Sequence, residues 1–385
     1  MMTAVTNFEA KPLPKSTRAL REDVQTFLRS YKPKLTEIQK AKSWMGFDRE
    51  FSKALAKKGF IGLTVPKKFG GQGKDGFSRF TVIEELLLNG MPVGAHWIAD
   101  RQSAPLILKY GTEEQKSFYL PKICSADAFF CIGMSEPNSG SDLASVRTRA
   151  TKIDGGWSLS GQKIWTTNAH LCDFMIILVR TSGTAEDRHE GLSQFIVDLK
   201  QPGIDIRKIR DLTGDHHFNE VFFNEVFLPD NCLVGKEGAG WQQVISELAF
   251  ERSGPERIYS SITLFDAWIQ HSRDTVLTSD APVLAGKILT ELITLRAMSL
   301  SVVAKIEEGE EPVIESAIVK DLGTELEQMI PHALAENLAT NPESVVSQEL
   351  LSALAYGMQI SPTYSLRGGT REILRGMIAR GLGLR

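Results

Sequence analysis

The sequence predicts an α+β protein of several domains: an N-terminal α-helical domain, a central β-barrel or sandwich domain and a C-terminal α-helical bundle. Two observations predict it. Apolar residues recur at helical spacing through the first and last thirds of the 385 residues, whereas the middle third runs in short apolar or alternating stretches bounded by Gly, Pro, Asn and Asp. The length suits two or three domains with a sizeable core. Their expected boundaries are 1–128, 129–236 and 237–385, with linkers near Cys124–Phe129 and Pro229–Gly240.

In the first domain, Ser16 precedes Thr17–Tyr31, which puts Leu20, Val24, Phe27 and Leu28 on one helical face. Asp48–Lys58 repeats the pattern with Phe51, Leu55 and Ala56, and Gly59 is placed to end it. Pro66–Gly76 reads as a Gly- and Lys-rich loop. Phe80–Leu88 and Ala104–Tyr110 read as helices, and Glu113–Leu120 as a helix begun at Thr112 and stopped before Pro121. Strands are expected at Trp157–Gly161, Phe174–Val179, Ser193–Leu199, Ile204–Ile209 and Val221–Leu228. Helical spacing returns at Trp241–Arg252, directly after Gly238-Ala239-Gly240. Pro255 divides this segment from Ser260–Ser272, Ala285–Glu308, Pro312–Ala333 and Ser344–Met358, a bundle-like set.

Composition narrows the function. A net charge of −3 with no basic stripe argues against a nucleic-acid partner. No apolar run reaches the ~18 residues that span a bilayer, and Met1–Lys15 carries no apolar signal core, so a cytoplasmic location is expected. Cys124, Cys131, Cys172 and Cys232 show neither CxxC spacing nor a nearby paired His, which favours free thiols over metal ligands or disulfides.

The most informative stretch is Met134-Ser135-Glu136-Pro137-Asn138-Ser139-Gly140-Ser141-Asp142. Its Gly and small polar residues let backbone amides approach a ligand closely. Farther on, Lys163-Ile164-Trp165-Thr166-Thr167-Asn168 sets an aromatic face beside two hydroxyls, which suits a flat polar ring. Three further motifs keep company with these two: Gly59–Pro66 with Phe69-Gly70-Gly71, Tyr110–Lys116 with Leu120-Pro121, and the closing Gly368-Gly369-Thr370-Arg371-Glu372-Ile373. With these five in this order, nearly the whole chain resembles the acyl-CoA dehydrogenase family.

The resemblance implies the architecture of that family, an α-domain, a β-domain and a four-helix bundle. It also implies FAD as cofactor, an acyl-CoA thioester as substrate, α,β-dehydrogenation to a trans-2-enoyl-CoA within fatty-acid or steroid side-chain oxidation, and an electron-transfer flavoprotein as acceptor. Carried over by residue, Met134 and Ser135 touch the flavin ring, Trp165 packs on it and the Thr167 hydroxyl lies near its N5. Thr370 and Glu372 fall near the adenosine half of FAD, and Ser141 contacts the CoA part of the substrate.

Two departures from the family pattern matter. Many members carry the catalytic carboxylate just before the closing Gly-Thr, where this chain has Gly368. Others place the base on the first bundle helix before an Arg, and Glu251 in Phe250-Glu251-Arg252 matches that placement. Gly368 then remains as a backbone N–H donor to the thioester oxygen. The family's Arg-x-x-Phe-Gly, which reaches the FAD pyrophosphate of a neighbouring subunit, is missing from Ile269–Thr275, and Tyr356–Tyr364 lacks the expected Gly-rich loop. An α2β2 assembly with a paralogous subunit, or a homo-oligomer in which Arg273 substitutes, answers this lack. The competing readings are a non-catalytic partner subunit of a heteromeric dehydrogenase and a flavin oxidase or monooxygenase on the same fold.

Overall fold

The structure is a computed structural model; it describes residues 8–31, 35–274, 280–340 and 345–384, without the side chains of 247–251 and 274. In chain order the elements are α1 (Thr17–Tyr31), α2 (Glu37–Ala41), α3 (Arg49–Lys57), α4 (Gly76–Leu88), α5 (Ala104–Tyr110), α6 (Glu113–Cys124), β1 (Phe130–Gly133), β2 (Arg149–Ile153), β3 (Gly156–Thr167), β4 (Phe174–Arg180), β5 (Leu192–Asp198), β6 (Ile204–Ile209), β7 (Phe218–Pro229), α7 (Gly240–Glu251), α8 (Ile262–Asp274), α9 (Ala281–Glu307), α10 (Val313–Ala339), α11 (Gln348–Ile360) and α12 (Arg371–Gly381). The chain packs as two units. One comprises Met1–Gly46, Lys74–Val93 and Ala249–Arg385, the other Phe47–Gly73 and Gly94–Leu248.

The second unit holds the sheet. Its strands run in the order β1-β4-β2-β3-β7-β6, with β5 added antiparallel to β4, so all seven join in one sheet. Leu159, Ile177, Val179, Phe195, Val221 and Leu228 form the centre of its core. The short β1 and β2 carry too little alternation to be read from the sequence; β1 is recognisable only by its parallel pairing with β4. Around the sheet, Asp48 caps α3 through the Phe51 amide and Thr112 caps α6 in a capping box with Gln115. Helix α6 runs through Pro121 to Cys124 instead of stopping before it. Burial of Ile123 and Cys124 beyond the proline offsets the lost backbone bond.

The first unit is helical. Helix α10 lies against α9, α11 and α12; α2 packs on α8 and α11, and α4 on α1 and α9. Leu20, Val24 and Phe27 of α1 are buried as their spacing predicts. Helix α4 starts at Gly76 rather than Phe80, because Asp75 caps it through the Ser78 amide. Helix α10 passes Pro331 and extends to Ala339, with Leu334 buried beyond the proline. Ser344, expected to open the last bundle helix, lies outside the described residues, and α11 is capped by Ser347. Glu84 is a buried hub, salt-bridged to Arg21 and Arg296 at 2.6 Å each and accepting from the Tyr259 hydroxyl at 3.1 Å. Among the described residues no helix is long and apolar enough to cross a membrane.

Candidate active site

In the sheet unit, the segment after β1 turns at Glu136-Pro137-Asn138-Ser139, where the Glu136 and Ser139 backbones exchange hydrogen bonds of 2.9 and 3.0 Å. Glu136 organises the surroundings. Its carboxylate accepts from the Arg147 amide (2.7 Å), the Thr148 amide (2.9 Å) and the wholly buried Lys163 ammonium (2.8 Å). Lys163 also donates to the Met134 carbonyl at 2.9 Å, and the Ser135 carbonyl accepts from the Ile164 amide at 2.9 Å. Met134 and Ser135 are thereby tied to β3. Burial pushes the Lys163 ammonium down to about 8 despite the opposing charge of Glu136. Burial raises the Glu136 carboxyl, but the Lys163 charge and the amide donors outweigh it, and its net shift is downward.

The β3–β7 pairing skips between Lys163 and Thr166. At this bulge Trp165 adopts φ +60°, a left-handed conformation that non-glycine residues rarely take. Its indole is 56% exposed and meets Phe218 edge-on at 6.1 Å. Asn168, also left-handed at φ +55°, anchors the end of the motif by donating from its amide to the His217 carbonyl at 2.8 Å. Among the described residues, the Ser135 and Thr167 hydroxyls make no hydrogen bond. An indole held out in strained backbone near two hydroxyl-bearing residues fits an aromatic ring with polar edges. The residues sequence analysis assigned to a flavin ring thus suit one chemically.

Ser141 is exposed on the following loop. Arg180 holds that loop from beneath. Its buried guanidinium donates to the carbonyls of Ala144 (2.9 Å), Val146 (3.2 Å), Arg188 (3.0 Å) and Glu190 (2.8 Å). Sequence analysis assigned no role to Glu136, Lys163 or Arg180. Charged residues at inward strand positions were the available signal for the last two, since such residues are buried only when paired.

In the helical unit, Gly368 and Gly369 have φ +68° and +98°, which explains the glycine pair. Arg252 donates from Nε to the Gly368 carbonyl at 2.9 Å. Thr370 caps α12 through the Ile373 amide, and Glu372 lies exposed in the first turn. Glu251 ends α7, and its side chain lies outside the described residues. Glu256, a rival carboxylate nearby in sequence, is buried and paired with Arg79 at 3.3 Å. Gly369→Val should cost about 1–3 kcal/mol, because a β-branched residue is strained at this φ, and its Cβ would stand 3.4 Å from the Arg252 guanidinium. Urea unfolding measures this; a loss under about 0.5 kcal/mol would show that the loop re-forms without strain.

Comparison with known proteins agrees with this architecture. The family model for the acyl-CoA dehydrogenase N-terminal domain matches residues 14–127, and that for the middle domain matches 131–226. "Acyl-CoA dehydrogenase FadE29" of Mycobacterium tuberculosis is 31% identical over 360 residues, 89% of this chain and 90% of that protein. "Acyl-CoA dehydrogenase FadE34" of the same organism is 34% identical over 276 residues, 71% of this chain but 37% of that protein, so the match spans little more than a third of its length. The solved "Tcur3481-Tcur3483 steroid ACAD" superposes with a TM-score of 0.85 over 98% of this chain and 99% of that one, at 24% identity, a likeness of fold. The chain belongs to the acyl-CoA dehydrogenase family of oxidoreductases.

Proposed function

We propose that this chain is an FAD-dependent acyl-CoA dehydrogenase that converts an acyl-CoA thioester into a trans-2-enoyl-CoA and passes the electrons to an electron-transfer flavoprotein. The observation that carries this reading is the exposed Trp165 indole, fixed at a strand bulge beside Thr167 and near Ser135, whose hydroxyls bond none of the described residues. When bound, FAD supplies the hydride acceptor. The chain supplies orientation, proton transfer and charge stabilisation. Met134, Ser135, Trp165 and Thr167 hold the ring by stacking and hydrogen bonds. Ser141 meets the CoA part, and Thr370 and Glu372 serve the adenosine half of FAD.

A proton α to a thioester is weakly acidic, so it needs both a base and donors on the oxygen where negative charge develops. Glu251 is the base. The Gly368 N–H is a donor to the thioester oxygen, and Arg252, bonded to the Gly368 carbonyl, steadies that loop. Anaerobic addition of a CoA thioester should bleach the flavin absorbance; a preparation that stays yellow with every thioester contradicts the reading. Trp165→Ala should weaken FAD retention about tenfold, the size of one aromatic stacking contact. Fluorescence titration of the apoprotein measures it, and unchanged retention removes Trp165 from the ring site.

The same reading includes an unlike partner. The FAD pyrophosphate needs positive charge or a row of N–H donors, and the segment Ile269–Thr275 lacks the family's Arg-x-x-Phe-Gly. We infer that a paralogous subunit supplies that charge in an α2β2 assembly. Purified alone, the chain should hold well under one FAD per chain; full occupancy would instead favour a homo-oligomer with Arg273 in the role.

A further inference from the structure

The Trp165 indole stands on backbone that strand pairing alone does not hold. Ile164 and Trp165 together face the single Glu220, between the register pairs Lys163–Val221 and Thr166–Asn219. At φ +60° Trp165 is strained, and such strain persists only where surrounding groups fix it. Ahead of the bulge, the Lys163 ammonium bonds the Met134 carbonyl and Glu136, and the Ile164 amide donates to the Ser135 carbonyl at 2.9 Å. Behind it, the fixing group is the side chain of Asn219.

Asn219 lies in β7 and is fully buried. Its Nδ2 donates to the Thr166 carbonyl at 2.9 Å, and its Oδ1 lies 2.8 Å from His170 Nδ1. A carbonyl only accepts, so the amide nitrogen faces Thr166 and the amide oxygen faces the imidazole. That oxygen also only accepts, so His170 carries a proton on Nδ1. Burial holds the His170 ring below the ordinary histidine value, which leaves this as its single proton near pH 7. His170 sits in the short turn Ala169–Leu171, directly after the motif Lys163–Asn168. One buried amide thus ties the backbone at the bulge to the ring that follows the motif. Without the imidazole N–H, the amide oxygen would be buried with no donor from His170. The amide would then be free to turn that oxygen toward the Thr166 carbonyl, where two acceptors repel.

We propose that Asn219 is a positioning residue of the ring site, holding the bulge that carries Trp165 in its binding conformation, and that His170 fixes the orientation of the Asn219 amide. Both act through Trp165 rather than on the ring itself. The proposal rests on the flavin reading of that site. Apparent affinity falls with the fraction of chains that hold the competent conformation, so FAD retention reports the effect.

The test is a fluorescence titration of the apoprotein with FAD, assembled with its partner subunit where flavin loading requires one. Asn219→Leu keeps the side-chain size and removes both hydrogen bonds. It should weaken FAD retention about fivefold, the size of one hydrogen bond. In a Trp165→Ala background the same substitution should cost less than about twofold, because residues that act as one unit are not additive. His170→Leu should weaken retention about threefold. His170→Asn should recover to within about twofold of wild type, since its amide nitrogen stands where Nδ1 stood and donates to Asn219. Should Asn219→Leu fail to accumulate because the Thr166 carbonyl loses its buried donor, the same cycle is run with His170→Leu, at a half-buried position. Unchanged retention in Asn219→Leu or His170→Leu, a loss of full size in the Trp165→Ala background, or a His170→Asn variant no better than His170→Leu overturns the proposal. A wild type that binds no FAD, or a Trp165→Ala variant that binds it as tightly as wild type, removes the ring site itself and this inference with it.

Discussion

Glu251→Gln should slow flavin bleaching by a CoA thioester by about a hundred- to ten-thousandfold, the usual contribution of a positioned general base. The amide is close in size and keeps hydrogen-bonding capacity, but it cannot accept the α-proton. FAD content should stay near wild type, because the residues assigned to the ring, Met134, Ser135, Trp165 and Thr167, lie elsewhere in the chain. The measurement is single-turnover, anaerobic stopped flow, which separates the chemical step from product release. A loss in rate smaller than about tenfold with flavin retained would exclude Glu251 as the base. It would then favour the reading in which this chain is the non-catalytic partner, a reading suggested by glycine at position 368. The neighbouring Arg252 donates from its guanidinium to the Gly368 carbonyl.

Lys163→Met should destabilise the protein by about 3–5 kcal/mol, as expected when one member of a buried ion pair is removed and the other is stranded. The variant also frees the Met134 carbonyl, so the segment carrying Met134 and Ser135 loses its tether to β3. Lys163→Met combined with Glu136→Gln should be less destabilised than Lys163→Met alone, because no buried charge is left without a partner. Chemical denaturation decides this, and a double variant as unstable as the single or worse refutes the stranded-charge account.

The pH dependence carries its own signature. Lys163 titrates at about 8 in the folded chain against 10.5 for an ordinary lysine. Between these values the unfolded chain binds a proton that the folded chain lacks, so this group makes stability rise with pH across that window. Below about pH 8 both states are protonated and the penalty for the buried charge is constant. The methionine variant should lose this rise, giving a flatter stability profile from pH 8 to about 10. A profile parallel to wild type would mean that Lys163 stays charged in the fold throughout.

Some of the molecule was legible because local chemistry settles it. Helix α1 has the bounds its apolar spacing predicts, and β6 runs over Ile204–Ile209 as read, because each presents one face to a core and ends where the pattern stops. Membership of the acyl-CoA dehydrogenase family was also legible, since ordered motifs such as Lys163–Asn168 constrain chemistry and backbone at once. Where packing overrides local preference, the reading failed. Helix α6 continues past Pro121, where the reading stopped it, because buried side chains beyond the proline outweigh one missing hydrogen bond, and α10 runs on to Ala339 rather than ending at Ala333. Helix α12 went unread, and β1 exists only through its pairing with β4.

The sequence alone settled which residue types stand near one another along the chain: the glycine pair at 368–369, the hydroxyls around Trp165, and the Glu-Arg step at 251–252. It could not show that Glu136 and Lys163, 27 positions apart, form one buried ion pair. Nor could it show that Arg367 meets Glu327, 40 positions away. The reason is physical. Periodicity and turn chemistry act over a few residues, whereas the burial of a charge, and the partner that makes it tolerable, depend on which distant segments the fold brings together.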